Sequence, residues 1–261
     1  MTDYRKIFNL KDKKAVVIGG GGGIGGAIAE GFIAVGVHVA IVGRNPEKLQ
    51  KQADRIRKGN GAPIKCFAAD CSDEAAVAKL YDDVLAEFGS IDILVNSQGL
   101  NKKFSALEHP LDEWDDMFSA NVRSVMLTCK YFGRYMKAHK YGRIINISSI
   151  SAIRSKQSDI SVCYGATKGA VNAYSLNLAA GLAEYGVTVN CISPIMTETD
   201  MMKPIFEKNP ELLTGTIARV PAGRLCRPED CAGIALFFAS DAAEFVTGQI
   251  LYPDGGLTAL Q

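Results

Sequence analysis

The sequence predicts one doubly wound α/β domain built on a seven-stranded parallel sheet. Three observations carry that expectation: short runs rich in Val and Ile recur along the chain, helical stretches separate them, and Gly, Pro or small polar residues mark the joins. The runs are residues 15–18, 37–42, 64–68, 91–95, 143–147, 187–192 and 249–251. The alternation of such runs with helical segments is the signature of a parallel sheet. The first run ends in a glycine cluster. After the second, Asn45-Pro46-Glu47 reads as a cap followed by Pro at the first helical position. Ser72-Asp73-Glu74 opens a helix after the third run, and Arg227-Pro228-Glu229 opens another near the C-terminus. The fourth, fifth and sixth runs lead into Asn96-Ser97-Gln98-Gly99, Ser148-Ser149 and Ser193-Pro194. No low-complexity linker or repeat divides residues 1–261, so a single domain is expected, with residues 196–219 as its least regular insertion and a candidate substrate loop or lid.

Hydrophobic residues make up 48% and charged residues 22% of the 261, which suits a chain that buries a sizeable core. Lys and Arg total 29 against 28 Asp and Glu, so the overall charge does not point to nucleic acid, and any anion recognition is local. The N-terminal residues lack the apolar stretch of a signal peptide, and a cytoplasmic location is expected. The most apolar stretch, 27–42, is interrupted by Glu30 and His38 and is too short to span a bilayer, so no membrane role is expected. The seven cysteines form no C-x-x-C pair, and their odd number argues against a disulfide framework. Most are expected to be small buried hydrophobes. With three histidines, no metal site is expected.

Two local patterns carry chemistry. Gly19-Gly20-Gly21-Gly22-Gly23-Ile24-Gly25 follows the first strand and opens a helix. Glycine lets the backbone turn sharply and approach a pyrophosphate, whose charge is met by amides at the helix N-terminus. A flexible turn would need the same glycines, but the strand-turn-helix context favours a dinucleotide. About twenty residues on, where such a fold reads the adenosine ribose, the chain has Gly43-Arg44-Asn45. No carboxylate is available for a 2′-hydroxyl, whereas Arg44 suits a 2′-phosphate, so NADP(H) is favoured over NAD(H). The alternative for Arg44 is a solvated loop cation. The second pattern is Tyr164 and Lys168, four apart on one helix face. A free phenol has a pKa near ~10, and a nearby ammonium favours the phenolate, which makes the tyrosine a candidate proton donor and acceptor. By itself the pair equally fits ordinary helix decoration.

Taken together, the glycine turn, Asn96-Ser97-Gln98-Gly99, Asn121, Ile147-Ser148-Ser149, Tyr164 with Lys168, Ser193-Pro194, Pro221-Ala222-Gly223-Arg224 and Asp254-Gly255-Gly256 resemble the short-chain dehydrogenases/reductases over nearly the whole chain. The resemblance implies a Rossmann-type fold and hydride transfer with a nicotinamide cofactor. It also implies roles: Tyr164 as acid/base, Ser149 on the substrate oxygen, Lys168 lowering the phenol's pKa and holding the ribose, and Asn121 anchoring a water beside Lys168. Gly19, Gly23, Ile24, Gly25, Arg44, Asn45, Asp70, Cys71, Asn96, Gly99, Pro194, Thr197 and Thr199 would join Tyr164 and Lys168 in holding the cofactor. The resemblance further implies a homotetramer. Ile18 stands where the family usually has Thr, Gln98 where it has Ala, and Ile195 where it has Gly, so Gln98 is expected to narrow the cofactor site. The stretch between Ser149 and Tyr164 is also longer than usual. Cys163, beside the tyrosine, is expected to be a packing residue.

The segments expected to face the substrate contain Lys102, Lys103, Arg154 and Lys156 beside hydroxyl residues. An acidic group on a polyhydroxylated substrate would find partners there, and a long acyl chain would meet costly polar surface. Solvated loop charge is the alternative reading of these cations. Within the family the chain looks most like the gluconate 5-dehydrogenase branch, which implies reversible oxidation of a hydroxyl on a sugar acid or similar small molecule. A 3-oxoacyl-thioester reductase and, from another class, a non-catalytic nucleotide-binding regulator are the alternatives.

Overall fold

A computed structural model describes residues 3–60, 63–154, 160–200 and 202–260. Seven parallel strands, β1 (Lys14–Ile18), β2 (His38–Gly43), β3 (Ile64–Ala68), β4 (Ile93–Asn96), β5 (Gly142–Ile147), β6 (Val187–Ile192) and β7 (Ile250–Leu251), form one sheet in the order β3-β2-β1-β4-β5-β6-β7. The order reverses between β1 and β4. There β1 pairs on one side with β2 and on the other with β4, with Ile18 level with both Val42 and Asn96. Crossovers leave to opposite faces at that point and open a crevice at the carboxyl ends of the strands, where this class of sheet binds ligands.

Successive strand residues face opposite sides, so burial on both faces divides each run into two sets. Ala15 and Val17 of β1 pack toward α1 (Gly23–Ala34) and α9 (Pro228–Ala239), while Val16 and Ile18 pack toward α3 (Glu74–Phe88) and α5 (Ser124–His139). The anchors are Phe32 and Phe238 on the first face and Phe132 on the second, all 0% exposed. Each such side chain contributes about 1.5–3 kcal/mol by leaving water.

The helix starts follow the sequence signals. Asn45 accepts from the Lys48 N–H at 3.0 Å and caps α2 (Pro46–Asn60), and Asp73 accepts from the amides of Ala75 and Ala76 and caps α3. At α9, Asp230 reaches back to the Arg227 N–H at 2.7 Å. The insertion is more ordered than expected and contains two short helices, α7 (Lys203–Lys208) and α8 (Pro210–Ile217). Both carry Pro in the first turn, where its missing N–H costs no hydrogen bond. The remaining helices are α4 (Leu111–Phe118) and α6 (Val162–Leu182). Between α4 and α5 the chain forms a π-helical turn over Ser119–Arg123, a feature without a periodicity signal in so short a span. Among the described residues no helix is long and apolar enough to cross a membrane.

Candidate active site

The crevice begins at the glycine turn. Gly19 has a φ of +76°, and a Cβ there would lie 2.7 Å from the backbone of Ser97 and Gln98, so only glycine lets the turn sit against the end of β4. A Cβ at Gly25 would meet the Gly19 carbonyl at 2.5 Å. The first intrahelical bond of α1 runs from the Gly26 N–H to the Gly22 carbonyl at 3.0 Å, and no side chain caps this end. The amides of Gly23, Ile24 and Gly25 therefore precede the hydrogen-bonded ladder, and a Cβ on Gly22 would meet nothing within 4 Å. Bare amides, the positive end of a 12-residue helix and open space in front of it fit a pyrophosphate. Thr199 lies against this end, with its methyl group 3.5 Å from where a Gly23 Cβ would be. Thr197 is buried and donates to the Ile195 carbonyl at 2.9 Å.

Arg44 is exposed at the end of β2. Asp70, after β3, accepts from the Ser72 hydroxyl at 2.7 Å and its N–H at 2.9 Å, which with help from the Arg44 charge holds its carboxyl below the ordinary range. Asn45 is engaged as the cap of α2, and Cys71 is buried, its thiol pushed up to about 12 by burial. Asn96 donates to Asn146 Oδ1 at 2.8 Å and accepts from Thr128 at 2.7 Å, and Asn146 in turn donates to Ser175 on α6 at 2.8 Å. This buried chain of hydrogen bonds ties β4, β5 and α6 into one register.

Asn121, Ser149, Tyr164 and Lys168 converge at the far side of the crevice. Ser149 follows β5 and interacts with the Tyr164 hydroxyl, while the adjacent Ser148 hydroxyl donates to the Lys168 carbonyl at 3.1 Å. The second serine of the pair thus faces the phenol. Its turn is fixed by the Ile150 N–H donating to the Pro194 carbonyl at 3.1 Å. Gly165 allows α6 to approach that turn, since a Cβ there would lie 2.8 Å from the Ser151 carbonyl. Lys168 is 3% exposed, donates to the Ile147 carbonyl at 2.8 Å, and places its ammonium 5.8 Å from the Tyr164 ring centroid. A Cβ on Gly99 would be 3.5 Å from that ammonium and 3.6 Å from Asn121 Oδ1, which puts all three at one point. Asn121, fully buried within the π-helical turn, accepts from the Leu100 N–H at 2.6 Å and donates to the Leu100 carbonyl at 2.8 Å and to Thr167 at 3.0 Å. The π turn re-aims this side chain toward α6, a local departure from regular helix of the kind that recurs at functional sites.

The electrostatics differ from the sequence expectation. Burial penalises the phenolate and raises the Tyr164 pKa above its ordinary value, with the Ser149 hydrogen bond opposing. Burial also pulls Lys168 down to about 8. Any lowering of the phenol by the Lys168 charge is outweighed, because desolvation dominates at both groups.

Three further expectations change on contact with the structure. Gln98 does not narrow the cofactor side. Its amide donates to the Ser124 hydroxyl at 3.0 Å, and that hydroxyl donates to the Ala120 carbonyl at 2.6 Å, so the side chain buttresses the π turn. Lys102 pairs with Glu113 and, at 3.3 Å, with Asp116 on α4, which neutralises it locally. Arg154 donates to the Leu257 and Leu260 carbonyls and holds the C-terminal segment. Lys103 is exposed, and Lys156 lies outside the described residues. Cys163 is 1% exposed and packs as expected.

A family model described as enoyl-(acyl carrier protein) reductase matches residues 19–258. The chain is 34% identical over 248 residues to a 3-oxoacyl-(acyl-carrier-protein) reductase of Chlamydia trachomatis, covering 95% of this chain and 98% of that one. It is 35% identical over 256 residues to a galactitol 2-dehydrogenase (L-tagatose-forming) of Cereibacter sphaeroides, covering 98% and 99%. Among solved structures it is similar to a gluconate 5-dehydrogenase from Burkholderia cenocepacia in complex with NADP and tartrate, at 32% identity and a TM-score of 0.90 over 98% of this chain and 99% of that one.

Proposed function

The chain belongs to the short-chain dehydrogenase/reductase family of oxidoreductases, and we propose that it interconverts a secondary hydroxyl and its ketone on a small polyol or sugar acid, using NADP(H) in preference to NAD(H). The observation that carries this reading is the meeting of Ser149, Tyr164, Lys168 and Asn121 at the end of a crevice whose other end is the bare N-terminus of α1. The α1 amides would take the pyrophosphate, Arg44 a 2′-phosphate, Lys168 the ribose, and the Pro194 to Thr199 segment the nicotinamide end. When bound, the nicotinamide supplies hydride exchange.

The chain's own residues handle the proton. At neutral pH the raised pKa keeps Tyr164 protonated, which suits it to give a proton to a carbonyl oxygen during reduction. Ser149 holds that oxygen against the phenol and steadies the charge that develops on it. In the oxidation direction Tyr164 must first lose its proton, so the charge on Lys168 favours that direction. Asn121 fixes the Leu100 backbone beside Lys168 and so shapes the floor of the site.

The polyol reading draws on relatives that act on galactitol and D-threitol, at 35% and 36% identity, and on the gluconate 5-dehydrogenase that holds tartrate. With Lys102 and Arg154 engaged elsewhere, Lys103 is the predicted cation left for an acidic group among the described residues, and hydroxyl recognition gains weight. The 3-oxoacyl-thioester reading is favoured by the neutralisation of Lys102, by the engagement of Arg154 with the C-terminal segment, and by the chlamydial relative. A panel of gluconate, 5-ketogluconate, galactitol, D-threitol and an acetoacetyl thioester, each with both nicotinamides, decides between them. Higher kcat/KM on the polyols or sugar acids is expected. A thioester preference installs the second reading, and nucleotide binding without any turnover installs a regulator. The same reading expects a homotetramer, with exposed Leu176, Phe245 and Leu251 as candidate contacts, which a solution mass measurement checks.

A further inference from the structure

Cys226 and Cys231 lie outside the catalytic cluster, and their C-x4-C spacing is wider than that of a C-x-x-C redox motif. Folding brings their sulfurs to 4.0 Å. Cys226 precedes α9, and Cys231 sits in the second turn of that helix. Cys226 also lines a cavity of about 210 Å³ with Ala222, Arg224, Asp230 and Gly255. Ala222, Arg224 and Gly255 are exposed, so the cavity reaches solvent, and a water's share of liquid volume is only about 30 Å³. Cys226 is 3% exposed as a residue, and it is the member of the pair that borders this solvent-reaching cavity.

The geometry points to Cys226 and Cys231 as a reversible dithiol–disulfide pair, with Cys226 the attacking thiol and a peroxide entering through the cavity as oxidant. Of the seven cysteines, Cys226 alone has its pKa lowered. The two thiols share a hydrogen bond that favours one thiolate, Thr197 and the Arg224 charge assist at Cys226, and burial and Asp230 oppose. Burial raises the others, except that in Cys231 the hydrogen bond shared with Cys226 is the larger cause and burial adds to it. The thiolate is the nucleophile in such chemistry, and Cys226 lines the cavity whereas Cys231 is 0% exposed behind it, which sets the polarity of the pair.

The steps balance. The Cys226 thiolate attacks one peroxide oxygen, forming an S–O bond and breaking the O–O bond, and the departing hydroxide takes a proton to become water. Cys231 then loses its proton and attacks the Cys226 sulfur. The S–S bond forms, the S–O bond breaks, and the released hydroxide leaves as a second water. Two thiols are oxidised and one peroxide is reduced. Bond formation shortens the sulfur separation from 4.0 Å to about 2 Å. Cys226 is tied to the segment after β6 by its bridge to Thr197 and by the Glu198 N–H donating to its carbonyl at 2.8 Å. Closure therefore pulls either on the start of α9 or on Thr197. The effect on cofactor binding rests on the reading given above for Thr197 and Thr199, while the chemistry at sulfur does not.

The test treats the reduced full-length protein with an equimolar amount of hydrogen peroxide and follows intact mass and alkylated peptides. Loss of two hydrogens, a linked Cys226–Cys231 peptide, reversal by dithiothreitol and a still alkylatable Cys66 are expected, although Cys66 is the exposed cysteine. An unchanged mass, oxidation at Cys66 first, or linkage to another cysteine overturns the proposal. Cys231→Ser should stop at a sulfenic acid on Cys226 that dimedone labels. Dimedone labelling of Cys231 in Cys226→Ser would overturn the assigned polarity. NADPH titration separates the two readings. If the reduced protein binds no NADPH, the functional reading fails and the mass result stands. If the disulfide form binds about fivefold more weakly, a hydrogen bond's worth, the link to Thr197 holds, and equal affinity removes that link.

Discussion

Replacing Lys168 with Met removes the buried ammonium and keeps the length of the stem. At 5.8 Å from the phenol ring, and with an effective dielectric of about 20, a unit charge favours the phenolate by about 3 kcal/mol, or about two pKa units. Oxidation of an alcohol by Lys168→Met should therefore be about 100-fold slower in kcat at neutral pH. The pH dependence is more telling than the size. Burial holds the Lys168 pKa at about 8, so the wild-type amine is charged below that value and neutral above it. The ratio of wild-type to variant kcat should be largest below about pH 8 and shrink as the pH rises through it. Steady-state oxidation across that range, with an unchanged far-UV spectrum and thermal midpoint as controls, measures the ratio. An unaltered kcat with only KM raised would reduce Lys168 to a binding residue. A ratio independent of pH would refute the electrostatic argument.

Two other perturbations probe the crevice. Gly165→Ala places a Cβ 2.8 Å from the Ser151 carbonyl and must displace the Ser149 turn or α6, so kcat should fall about 10- to 100-fold with NADPH affinity kept; an unchanged kcat would show that Ser149 needs no such register. Arg44→Asp should weaken NADP(H) binding about 10- to 100-fold and spare NAD(H), as expected for loss of a charge-assisted phosphate contact, and equal losses for both nucleotides would sink the NADP(H) preference.

Much of this architecture was legible because its signals are local. Pro46 after Asn45 and Glu74 after Asp73 mark helix starts through hydrogen bonds that close within three residues, and the structure has those bonds. The strands were legible because burial on both faces leaves a plain apolar run. Most of what escaped depends on side-chain direction and on groups farther along the chain. The charge of Lys102 is met by Glu113 and the donors of Arg154 by carbonyls near residue 260, and no loop-level inspection reveals that. Gln98 looked like an obstruction because its position was known and its direction was not; Ser124 supplies the direction. The π turn around Asn121 leaves no periodicity signal over so short a span. The pKa of Tyr164 moved against expectation because the helix spacing shows a neighbouring charge and hides the desolvation that outweighs it. Cys226 and Cys231 meet only because the turn before α9 folds back on the helix.

The central claim is that the Tyr164 phenol carries the proton while Ser149 holds the reacting oxygen. Tyr164→Phe removes one oxygen atom from a site otherwise fixed by Asn121, Gly165 and Lys168. Single-turnover reduction of the preferred ketone by prebound NADPH should slow about 100- to 10,000-fold in this variant, with NADPH affinity unchanged. Turnover at the wild-type rate would mean that the proton travels by another route.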